Sequence, residues 1–173
     1  MKRIQQIFNA HLLIAVAALA GGYALAGAWL GALIFLVLGG LWFAVQLRAS
    51  SGARAVGVAS LMLFLFLPGC AVGMWLGVPG WLALIAAVAA LGAWDLDHFL
   101  QRLSSAARVE LGSGLGRAHL LRLASVEGVG LLAGLAALMV RARLPFWWEV
   151  LLVILAVAGI SRLISLVRRQ VEE

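Results

Sequence analysis

LLIAVAALAGGYALAGAWLGALIFLVLGGLWFAVQL, residues 12–47, contains no charged side chain. An α-helix rises about 1.5 Å per residue and the hydrocarbon core of a bilayer is about 30 Å thick, so about 20 apolar residues make one crossing. The run is too long for one crossing and suits two, joined by a tight turn near Gly27. Tyr23 and Trp29 flank that turn, where amphipathic rings sit at a membrane–water boundary. The reading is two helical spans, 9–26 and 28–47. It commits the rest of the chain to a bilayer.

Composition agrees. Apolar residues make up 65% of the chain and charged residues 12%, against about 45–50% and about 25% in soluble domains. Too few polar side chains remain to cover a water-facing surface. The one cysteine, Cys70, lies in an apolar run, so no disulfide framework exists. A net charge of +6 in a soluble protein would raise the question of nucleic acid, but here the basic residues punctuate the ends of apolar runs. They carry topology, and no nucleic-acid partner is expected. Lys2 and Arg3, the run 12–20 and Ala24-Leu25-Ala26 imitate a secretory signal; the segment reads as a first span, because both obey the same insertion physics.

Outward from that run, Arg48 to Arg54 forms a polar loop, and a third span covers 55–78 with Pro68-Gly69 at mid-depth. Proline removes a backbone donor, so a kink is expected there. Trp75, Pro79, Gly80 and Trp81 make a turn into a fourth span, 81–99. Residues 98–111 set Phe99, Leu100, Leu103, Ala107 and Leu111 against Gln101, Arg102, Ser105 and Arg108, the pattern of a short amphipathic helix lying in the interface. Residues 112–116, Gly-Ser-Gly-Leu-Gly, read as a flexible linker, since no strand and no Walker lysine accompany them. Spans five and six cover 118–140 and 146–167.

The expected fold is thus all-α, a single polytopic membrane helix bundle over residues 1–173, with six transmembrane helices as three hairpins. With a cytoplasmic N-terminus the inner side collects Lys2, Arg3, Arg48, Arg54, Arg102, Arg108, Arg117, Arg122, Arg162, Arg168 and Arg169, leaving Arg141 and Arg143 outside. Such a bias sets orientation, so both termini are expected in the cytoplasm and the protein in the plasma (inner) membrane. Small residues four apart, at Gly27/Gly31, Gly69/Gly73/Gly77 and Gly130/Gly134, predict close helix packing, within the chain or against another copy or partner.

The candidate site comes from charges that lie too deep. Trp81 and Trp94 are only about 20 Å apart at helical rise, which draws Asp95 toward hydrocarbon. Glu127 falls about 7–8 Å beyond Arg122 along span five, and Arg162 must lie inside span six if that span is to complete a crossing. An ionised group near a bilayer centre costs about 2.5–3.5 kcal/mol, so Asp95, Glu127 and Arg162 are expected to answer one another. They form either an ion-pair lock or a polar transport site. Asp97, His98 and His119 are interfacial polar candidates, and Arg102, Arg108, Arg117 and Arg122 are candidates for anionic lipid. One carboxylate-x-x-histidine unit is too little for a bundle di-metal centre, so no metal or cofactor is expected.

Three function classes remain. A non-catalytic scaffold or accessory subunit, packing on other membrane proteins, fits a chain consumed by spans. A small oligomeric permease or proton-coupled transporter would use the Asp95/Glu127/Arg162 cluster, and the proline-broken third span fits it. An enzyme acting on a lipid head group would use Asp95, Asp97, His98 or His119, although no nucleophile–base or zinc-protease pattern is present.

Overall fold

A computed structural model describes residues 2–49, 57–105 and 114–140. They form five helices: α1 (Lys2–Leu25), α2 (Trp29–Ala49), α3 (Val58–Trp75), α4 (Gly80–Ser105) and α5 (Gly114–Val140). All five are long and apolar enough to cross a membrane. The sixth expected span, 146–167, lies outside the described residues, and so do Arg108 and Arg162.

The same turn ends α1 and α3. Ala28 N–H bonds Tyr23 O and Gly27 N–H bonds Ala24 O; Val78 N–H bonds Gly73 O and Gly77 N–H bonds Met74 O. This is the Schellman pattern, which satisfies the last helical carbonyls and places one residue in left-handed backbone. Gly27 (φ 76°) and Gly77 (φ 96°) occupy those positions, where a Cβ would be strained.

The core lies where α1 packs on α2 and α4, and where α3 packs on α4. Phe8, Leu12, Ala15 and Leu19 form the buried stripe of α1, and Ala86, Ala90, Ala93, Leu96 and Leu100 that of α4. Alanine along α4 lets the two helices approach closely, as small residues do between helices in lipid. Five rings bind α1, α2 and α3 into one aromatic file. Its neighbours are Phe8–Trp42 (6.2 Å), Trp42–Phe66 (6.0 Å), Phe66–Phe35 (5.4 Å) and Phe35–Tyr23 (5.3 Å). Edge-to-face and offset pairs at these separations are attractive beyond their buried area.

Several expectations need correction. Tyr23 is buried, and its hydroxyl donates to Gly69 O at 2.8 Å; Trp42 is fully buried. Neither belongs to an interfacial belt, because the core offers both rings aromatic neighbours, whereas Trp29 and Trp75 are exposed. Helix α3 runs unbroken through Pro68. No separate interfacial helix begins at residue 98: α4 continues to Ser105, because its buried stripe passes through Leu96 and Leu100 without interruption. Gly114 to Gly116 form the first turn of α5 rather than a linker.

Candidate functional site

Helix α4 presents two chemical faces. One hundred degrees of rotation per residue places Asp95 and Asp97 about 200° apart, and the structure uses both directions. Asp97, only 2% exposed, is buried among core residues. Gln46 Nε2 donates to its Oδ1 at 2.7 Å, and Gln101 Nε2 to its Oδ2 at 2.6 Å. Both oxygens are used, and α2 is fastened to α4. Asp97 is therefore a buried link between α2 and α4. A carboxylate that accepts from two amides can sit in an apolar core.

Asp95 lies on the opposite face with Val88, Leu91, Gly92 and Arg102, and together with α5 residues these line a cavity of about 590 Å³. Helix α5 contributes His119, Arg122, Leu123, Val126, Glu127 and Gly130. A drug-sized ligand commonly occupies about 300–1,000 Å³. The structure thus brings Asp95 and Glu127 to one wall, with His119, Arg102 and Arg122 beside them. His98 lies elsewhere: its Nδ1 donates to Trp94 O at 3.0 Å, and its ring packs on Trp94. Arg117 is exposed on α5 and lines no part of the cavity.

Each carboxylate in the cavity has a histidine partner. His119 Nε2 stands 3.0 Å from Asp95 Oδ2, and its ring stacks on Phe99 with centroids 3.9 Å apart. Nε2 is shielded from solvent and has no aligned hydrogen-bond partner, so the ring is held at this distance mainly by its stack on Phe99. His11 Nε2 stands 3.1 Å from Glu127 Oε2, while His11 Nδ1 stands 2.8 Å from Ile7 O.

A carbonyl oxygen only accepts, so Nδ1 of His11 donates to Ile7 O while Nε2 faces the Glu127 carboxyl. Glu127 Oε1 is buried without a partner, and a Cβ on Gly92 would overlap it and crowd His11 Cδ2. Gly92 is what lets this bridge lie against the backbone of α4.

Four members of these networks, His11, Gln46, Gln101 and Gly92, were not singled out as site residues from the sequence. Gln46 had a readable signal, as an isolated amide at the end of an otherwise apolar run. His11 gave a weaker one, as a histidine at the start of a span facing an acid made far later. Among the described residues, no three side chains of the metal-binding types converge. No family model, curated protein or solved structure matches this chain.

Proposed function

We propose that the protein is a small membrane permease whose substrate site is the cavity between α4 and α5. One observation supports this above all: a cavity of about 590 Å³ between apolar helices collects Asp95, Glu127, His119, Arg102 and Arg122. Ionisable groups within membrane helices are expensive and tend to mark ion or substrate pathways. Of the candidates for a head-group enzyme, Asp95 and His119 line this same cavity, whereas Asp97 and His98 make their bonds elsewhere.

In this reading the chain completes six crossings as three hairpins in the plasma membrane, with both termini cytoplasmic. The arginine end of the cavity then opens toward the cytoplasm, in keeping with the basic bias of that side. Asp95 and His119 hold the polar half of the chamber. The His11–Glu127 bridge lies at its edge.

Access by water is the test. In a Cys70→Ala background, Leu123→Cys on the cavity wall is expected to react with a membrane-impermeant thiosulfonate in inverted vesicles. Val129→Cys, exposed on α5 away from the cavity, is expected to stay unreactive in lipid. An inert Leu123→Cys, or equal reaction at both sites, removes the permease reading.

A further inference from the structure

We propose that the α4/α5 cavity takes an anionic amphiphile: one negatively charged head group held by Arg102 and Arg122, followed by an apolar chain lying along Val88, Leu91 and Val126. The proposal rests on the cavity being a substrate site and names the class of that substrate.

The first support is the order of the walls. Helices α4 and α5 run antiparallel: Asp95 meets His119, a Cβ on Gly92 would meet Glu127, one on Gly134 would meet Leu84, and one on Gly80 would meet Leu138. Position along one helix therefore converts to position along the other. Arg102, Asp95, His119 and Arg122 share one half of the cavity, Glu127 lies against Gly92 where the halves meet, and Val88, Leu91, Val126 and Gly130 make the other. Val88 and Arg102 are about 21 Å apart along α4. A chamber that grades from charged to apolar over that length matches a molecule that does the same.

The second support is the pair of guanidinium groups. Each carboxylate of the cavity stands against a histidine nitrogen, Glu127 against His11 and Asp95 against His119. Among the described residues, neither Arg102 nor Arg122 has an acidic partner. Guanidinium groups recognise carboxylate and phosphate through paired N–H donors. Basic pockets between membrane helices bind anionic lipid head groups by the same chemistry. A cationic amphiphile cannot use those donors, and a bare anion leaves the apolar half unfilled.

The third support is room. A Cβ on Gly130, at the apolar end, would meet no atom within 4 Å. That end of the cavity is open space bordered by hydrocarbon side chains.

The experiment uses the full chain with Leu123→Cys in the Cys70→Ala background, reconstituted in phosphatidylcholine vesicles. Thiosulfonate labelling is timed with n-decyl phosphate, decyltrimethylammonium or inorganic phosphate present. Decyl phosphate is expected to slow labelling at least about tenfold, a difference of one decade in occupancy, while the other two leave it unchanged. Arg102→Gln combined with Arg122→Gln should abolish protection, and Arg117→Gln should retain it. Gly130→Leu fills the apolar end and should weaken protection without touching an arginine, so the proposal survives a double variant that fails to fold. Vesicles containing phosphatidylglycerol distinguish the sources: protection there identifies a membrane lipid, and protection by decyl phosphate alone identifies a soluble amphiphile. Equal protection by inorganic phosphate or by the cationic amphiphile overturns the proposal, as does protection that persists in the arginine double variant. A cysteine that labels but is never protected overturns the ligand class alone; one that never labels overturns the cavity reading beneath it.

Discussion

Gly92 shows how one missing methyl group decides a polar contact. Its bare Cα lets Glu127 Oε1 and the His11 ring lie against α4, and Gly92→Ala forces them away. Overpacking of this kind costs about 1–3 kcal/mol, and the midpoint of unfolding in detergent is expected to fall accordingly. Gly128 has no atom within 4 Å of an added Cβ, so Gly128→Ala should instead stabilise by about 0.5–1 kcal/mol, the gain of alanine over glycine within a helix. Asp97 offers a second test. Asp97→Leu leaves the Gln46 amide without its acceptor, at about 1–3 kcal/mol for a buried donor left unpaired. Combining it with Gln46→Leu should recover part of that loss in the same unfolding measurement. The sequence singled out Asp95 and Glu127, because an acid within a largely apolar run stands out. It hid their partners. Histidines and glutamines at span ends are ordinary residues until the register between helices is known, and no single-chain periodicity supplies that register.

Helices α1 and α4 are held by buried apolar stripes, but α5 is not: no residue of its apolar span is buried. Beside the packing of Leu120 and Leu123 on the core, α5 is tied to the others by the His11–Glu127 bridge, the His119–Asp95 contact and the Phe99–His119 stack. Replacing both histidines by alanine is therefore expected to loosen α5 while leaving the packing of α1 on α4 intact. Leu84→Cys with Gly134→Cys, joined by a short bifunctional thiol reagent in the Cys70→Ala background, provides the readout. Crosslinking should fall severalfold in the double-alanine variant, whereas a pair placed across α1 and α4 should keep its yield. The start of α2 and the turn at Gly27 were legible, since glycine beside aromatic span ends signals a reversal, whereas Gly77, read as a packing glycine within span three, is the left-handed residue of the turn after α3. The length of α4 was not. Its polar pattern after residue 98 looks the same whether the helix turns along a surface or continues past it, and only the burial of Leu96 and Leu100 against other helices decides.

At the scale of the molecule, the exposed surface is apolar on α2, α3 and α5, through Leu30, Leu33, Ile34, Phe64, Val72, Leu121, Val126 and Leu132. Water would penalise such a surface at about 25 cal/mol per Å², and lipid removes that penalty. Composition alone made this legible, because a chain with so few charges has no other environment in which its helices can be satisfied. The proposed orientation has its own measurement: Ser51→Cys should label only from the cytoplasmic side and Ala142→Cys only from the opposite side. Identical sidedness at the two positions would mean an odd number of crossings between them has been miscounted. The link between His11 and Glu127 reaches further, into how the chain is made. The two residues are 116 positions apart, so a ribosome adding about 5–20 residues per second needs roughly six to twenty seconds between them. For that interval the first helix waits in the translocon or the lipid with an unanswered imidazole, and its acid arrives only with the fifth. A chain arrested before residue 127 should therefore be short-lived in the cell, recognised by membrane proteases through the ring that its missing helix was due to cover.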